Sequence, residues 1–241
     1  STRLTKENDT LIASGREFAC LAADCPNITL RLCLECTGGN QLQRLNMTKG
    51  GIAAHQLIQG HRDKLKDMLS VAFDVARVVK QNGGIICFEF SGGCNCWNEF
   101  RLQSLVAELK LIRVYPDGCM FNLRSRNSGC KGVFLRKLRC VVTNSQPFAD
   151  ELGLCCSKDH ECVRICGSNT KLTEGCTKAF AEASHRAILR EAINSTHSTG
   201  KHKALCCIVH RISSVAFQVP KAFFFAVLLR TWSLCVRLPK L

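Results

Sequence analysis

Four residues carry groups that can act together on a heteroaromatic ring: Cys36, Glu89, Arg124 and Arg126. A thiolate can add to an electron-poor ring carbon. A carboxylic acid can hydrogen-bond the ring nitrogen and amino group, so that charge does not build up on the ring. An arginine pair can hold that carboxylate, or a nucleotide phosphate, in place. Thiol, carboxyl and Arg-x-Arg, in that order along the chain, are the parts that methylation of carbon 5 of a flipped-out cytosine needs. A second set stands further on, in Cys155-Cys156-Ser157-Lys158-Asp159-His160-Glu161-Cys162-Val163-Arg164-Ile165-Cys166. Here Cys156, His160, Cys162 and Cys166 offer four soft or borderline ligands, the number a closed zinc site uses. All four lie within 11 residues, which is not the spacing of a standard finger.

The elements around these residues alternate. Ile28 to Leu34 reads as a short strand, broken by the loop Glu35-Cys36-Thr37-Gly38-Gly39-Asn40. From His61 to Gln81, the apolar positions Leu65, Leu69, Ala72, Ala76 and Val79 recur at steps of three and four, one face of a helix that Asn82-Gly83-Gly84 stops. Ile85 to Phe90 is a nearly continuous apolar run, as expected of a strand buried on both faces. Ser91 to Asn98 reads as a loop, Glu99 to Lys110 as a helix, and Leu111 to Tyr115 as a strand ending at Pro116-Asp117-Gly118. Lys137 to Thr143 is a further strand, after which Asn144 or Ser145 caps a short helix through Leu152. A last helix is expected over Thr177 to Ile193. This alternation predicts a parallel sheet with covering helices. Cys36, Glu89 and the two arginines would then follow strand ends at one edge of it, where ligands bind in open α/β sheets.

Composition narrows the classes. The chain has 241 residues, 46% of them hydrophobic and 22% charged, as in a soluble globular protein large enough to bury a core. Its 18 cysteines would suit a short secreted disulfide scaffold, but the chain is too long for one and several cysteines fall inside strands. A reducing intracellular compartment, nuclear or cytoplasmic, is the expectation. The formal charge is +14, and no acid follows Glu191, whereas Lys201, Lys203, Arg211, Lys221, Arg230, Arg237 and Lys240 do. A basic excess fits a nucleic-acid partner. The run Ala222 to Leu229 is far shorter than the roughly 20 residues of a membrane-spanning helix, so no transmembrane span is expected. Three segments follow: 1–26 as an N-terminal remnant or linker, 27–193 as an α/β domain that includes the Cys/His-rich stretch 155–166, and 194–241 as a basic, apolar tail outside it.

Residues 28–144 resemble the later motifs of the cytosine-C5 DNA methyltransferase family. Leu34-Glu35-Cys36-Thr37-Gly38-Gly39 stands in the place of the family's Pro-Cys loop, and Phe88-Glu89-Phe90-Ser91 where it has its Glu-centred strand end. Asp117-Gly118-Cys119-Met120-Phe121-Asn122-Leu123-Arg124-Ser125-Arg126 resembles the segment ending in Arg-x-Arg. The likeness is greatest to degenerate methyltransferase-like segments in or beside retrotransposon polyproteins. It implies an α/β fold, part of a Rossmann-like S-adenosylmethionine-dependent sheet with its N-terminal strands missing or degenerate. It also implies S-adenosylmethionine as cofactor, DNA as partner, and Cys36, Glu89, Arg124 and Arg126 as the catalytic set. Three departures predict that the chain is inactive alone. Glu35 replaces the proline and sets a negative charge beside the thiol; Phe90-Ser91 replaces the polar residue and proline after the glutamate; and no Gly-rich strand-to-helix turn precedes Cys36. The second expectation is a non-catalytic nucleic-acid-binding or structural remnant of a mobile-element protein, with zinc on the Cys/His stretch.

Overall fold

The computed structural model of the chain describes residues 15–20, 22–24, 28–33, 39, 42–165, 173 and 175–198. Its centre is a four-stranded sheet made of β1 (Thr29–Cys33), β2 (Ile85–Ser91), β3 (Ile112–Val114) and β5 (Arg139–Thr143), in the order β1-β2-β5-β3. β1 and β2 are parallel, with Cys33 opposite Glu89, whereas β5 runs antiparallel to both of its neighbours. The fold is therefore mixed α/β with a small mixed sheet. The all-parallel sheet read from the alternation of elements is corrected at β5. No helix separates β3 from β5; the chain returns through 3-10 turns at Gly118–Phe121 and Ser128–Cys130 and the short β4 (Phe134–Arg136). Without a crossover helix a strand can join from the opposite direction.

Strand periodicity divides the sheet residues between two cores. Leu30, Leu32, Ile86, Phe88, Phe90, Cys140 and Val142 face Leu65, Leu69, Ala72, Phe73, Ala76 and Val79 of a long helix, α2 (Gly51–Gln81), with Leu102 and Leu105 of α3 (Phe100–Glu108). Ile85, Cys87 and Val141 face Phe148 and Leu152 of α4 (Gln146–Leu152) and Phe180, Ala183 and Ala187 of α5 (Lys178–Ser198). Both faces of β2 are covered from Ile85 to Phe90, which is why that stretch is apolar apart from Glu89.

The helix expected from His61 begins ten residues earlier, at Gly51, behind a short α1 (Leu42–Lys49). Its first turns expose Ile52 and Leu57 and bury Ile58 outside the sheet core, so their apolar residues do not lie on a single stripe. Gly83 takes φ +73, and a Cβ on Gly84 would lie 2.5 Å from the Ile28 carbonyl oxygen, so the glycines turn the helix directly into β2. Phe18, Ala19 and Ala22 pack on the first core, within the segment read as a remnant. The final helix continues past Ile193 to Ser198, and residues 199–241 of the expected tail lie outside the described residues. Among the described residues no helix is long and apolar enough to cross a membrane.

Ser145 caps α4: its hydroxyl accepts from the Phe148 amide at 3.4 Å and donates to the Glu191 carboxylate at 2.5 Å. Ser145→Ala removes both bonds inside a buried corner and is expected to cost about 1–2 kcal/mol. Urea denaturation measures it, as a lower midpoint at an unchanged slope.

Candidate functional site

Two clusters of reactive side chains flank the sheet. The first is built on strand register. Glu89 lies on β2 two residues before its end, 7% exposed, on the face toward α5. Arg31 of β1 donates to one of its carboxylate oxygens at 2.9 Å, and Arg139 of β5 donates to the other. Both guanidiniums lie over the Phe180 ring, at 4.9 and 5.2 Å from its centroid. Arg31 also donates to Ser184 Oγ at 3.3 Å and to Cys176 Sγ at 3.1 Å, and Arg139 to the Gly175 carbonyl. Burial alone would raise the Glu89 pKa, but the attraction of Arg139 and Arg31 outweighs it and holds the carboxyl below its ordinary range. The Cys33 thiol, 3.4 Å from Glu89, is pushed well above its usual value by burial first and by that carboxylate second. Cys87, on the same face, is pushed up to about 12 by burial. These thiols are protonated at neutral pH and are poor nucleophiles.

The second cluster joins distant segments. Cys119 sits in the 3-10 turn after β3, while Cys156, His160 and Cys162 come from the Cys/His stretch, and one ligand atom from each lies within 4.8 Å of all the others. Cys156 Sγ is 3.9 Å from both His160 Nε2 and Cys162 Sγ. Ligands at about 2.3 Å from a tetrahedral zinc stand roughly 3.8 Å apart, so the spacing suits one metal ion. The far nitrogen of His160, Nδ1, is 2.7 Å from the Asp159 carboxylate, the support that a metal-bound imidazole uses to fix its tautomer. Asp159 is held below its ordinary range by hydrogen bonds from Ser157 and then from His160. Asp117, 2% exposed, ties the two segments together: it accepts from the Cys156 amide at 2.9 Å and from Arg136 at 3.4 Å. Burial first pushes Cys119 up to about 12, so a metal would have to displace its proton; the Lys158 amide lowers Cys156. A Cys3His cluster of this kind can hold a metal such as zinc.

The chain matches no protein-family profile, no curated protein and no solved structure. What can be said of the site therefore comes from its geometry.

Of the residues expected from sequence, Glu89 is at the centre of the first cluster, and Cys156, His160 and Cys162 are in the second. Cys36 and Cys166 lie outside the described residues. Arg124 donates to Asn122 Oδ1 and the Gly132 carbonyl, both at 2.8 Å, and stacks 3.8 Å above the Phe134 ring; Arg126 is exposed. It is Arg31 and Arg139 that engage Glu89, and Cys119 that supplies the fourth donor among the described residues. The first pair had a visible signal, one arginine inside each apolar strand flanking that of Glu89. Cys119 had none, since 37 positions separate it from Cys156 and only the fold brings them together.

Proposed function

We propose that this chain is a degenerate DNA (cytosine-5) methyltransferase-like segment, on part of a Rossmann-type sheet, whose surviving centre is structural rather than catalytic. The observation that carries the reading is the buried carboxylate of Glu89, held between two guanidiniums on the strand where the motif resemblance puts the family's glutamate. A glutamic acid that works on a cytosine ring must offer a proton or accept one from it. Glu89 is ionised and fully engaged by its own sheet, with a protonated thiol beside it, so it holds strands together instead. The parallel pairing of β1 with β2, joined through a long helix, supports reading the sheet as part of an α/β fold of that kind.

The Cys3His cluster favours a second reading, a metal-binding, non-catalytic nucleic-acid-binding or structural remnant of a mobile-element protein. Both readings exclude a working cofactor site in this chain. Calorimetric titration of S-adenosylmethionine into the 241-residue chain is expected to give no heat of binding, since no Gly-rich strand-to-helix turn precedes β1 within it. Micromolar binding, or methyl transfer to cytosine-containing DNA, would show that a working cofactor site is present and that the loss-of-catalysis reading is wrong.

A further inference from the structure

The two-stranded sheet beside the metal-ligating cluster has an inward and an outward face. β4 pairs in parallel with β6 (Cys162–Arg164), placing Phe134 beside Cys162, Leu135 beside Val163 and Arg136 beside Arg164. Leu135 is fully buried, so its side of the sheet points inward, and by strand alternation Phe134, Arg136, Cys162 and Arg164 share the other side. Arg124 bridges Phe134 as an isolated antiparallel pair and therefore joins that outward face. On it the Arg124 guanidinium lies 3.8 Å over the Phe134 ring, whose other neighbour is the His160 imidazole, at 4.8 Å between ring centroids. The face thus carries the guanidinium of Arg124 over the Phe134 phenyl, with the His160 ring against that phenyl at a tilt of 57° and Arg136 and Arg164 exposed alongside.

Charge points the same way. From Gly118 to Ala149 the chain has no acidic residue but contains Arg124, Arg126, Lys131, Arg136 and Lys137. The opposing charges nearby are Asp117, buried against Arg136, and Asp159, held by His160; Glu161 is exposed on the same turn. Three thiolates and an imidazole around a dication would add one negative charge, which Lys158 in that turn offsets.

We propose that this outward face binds single-stranded nucleic acid, with the arginines on phosphates and the Arg124–Phe134 plate stacking against an unpaired base. Stacking on aromatic and guanidinium planes, bordered by arginines that track the backbone, is how unpaired strands are held without sequence readout. A duplex hides its base faces and would engage only the charges. The interface needs neither a catalytic cysteine nor a methyl donor, so it goes beyond the methyltransferase-like reading and can fail independently of it.

The test is fluorescence anisotropy of a labelled 20-nucleotide oligothymidine with the full, metal-loaded chain, against the same length of duplex. Basic residues after Ser198 attract any polyanion, so the informative quantity is the change between variants. Phe134→Leu is expected to weaken single-strand binding roughly tenfold. Arg124→Gln with Arg164→Gln, both exposed and away from Asp117, should lower the slope of log affinity against log salt by about 1.4. Arg186→Gln with Arg190→Gln, which removes equal charge from α5, should change affinity less than about twofold. Metal content and melting temperature of Phe134→Leu show whether it folds; if it does not, the exposed arginine pair decides alone. Unchanged binding by the face variants, an equal loss in the α5 pair, or tighter binding to duplex than to single strand overturns the proposal.

Discussion

Glu89→Gln is expected to lower the thermal unfolding midpoint by roughly 10 °C, the largest effect of any single isosteric change in the sheet. The replacement keeps size and shape but removes the only negative charge among the described residues between Arg31 and Arg139, whose side chains are 14% and 6% exposed. Two guanidiniums then face each other in a low-dielectric layer with a neutral amide between them. Breaking a buried ion pair from one side typically costs about 3–5 kcal/mol, because the partner charge stays buried without compensation. The pH dependence follows from the direction of the Glu89 shift. Its pKa is lowered in the folded state, so the stabilisation is fully present above the ordinary carboxylate range and is lost as pH falls through the folded value. The unmutated protein should therefore lose stability in acid faster than Glu89→Gln, and the two unfolding free energies should converge at low pH. Equal melting of the two proteins at neutral pH would mean that the cluster contributes nothing net.

Removal of metal is the second large effect. The Cys3His cluster ties the turn after β3 to the segment that forms β6, which is otherwise held by its pairing with β4, the Phe134 ring against His160, the Asp117 carboxylate on the Cys156 amide and the Cys155 thiol on the Tyr115 carbonyl. Zinc at about a thousandfold excess over its dissociation constant would stabilise the folded state by about 4 kcal/mol. For a domain of this size, a strong chelator should then lower the midpoint by roughly 8–16 °C. The loss should begin locally. Limited proteolysis of chelated protein is expected to cut within 155–165 before the sheet, because β2 and its two helical layers hold without the metal. Uniform unfolding with no early cut, or no response to chelator, would place the stability of this lobe elsewhere.

Legibility in the sequence tracked how local the cause was. β1, β2 and the stop after Gln81 were readable because each is set by its own residues: an apolar run, a helical period, a Gly-Gly break. A cap at Asn144 or Ser145 was readable for the same reason, and the structure places it at Ser145. The direction of β5 was not, since it depends on how the chain travels from Val114 to Arg139, through turns and a three-residue strand with no period of their own. The candidate site divides in the same way. Glu89 stood out as the lone acid in an apolar strand, and Arg31 and Arg139, each inside an apolar strand, are the counter-charges such an acid requires. Arg124 and Arg126 drew attention through motif order, whereas burial and register chose the arginines on the adjoining strands. In the metal-ligating cluster, three donors were legible as a local run, but proximity in sequence favoured Cys166 as the fourth, and the fold brings up Cys119.

That fourth donor is where the account is most exposed to test. Metal analysis of the purified chain, by mass spectrometry of the intact holoprotein with elemental quantification, should find one zinc per chain. Cys119→Ser should abolish stoichiometric metal, and Cys166→Ser should retain it. Stoichiometric zinc that survives Cys119→Ser, or unmutated protein free of metal after purification without chelator, would contradict a Cys119–Cys156–His160–Cys162 centre.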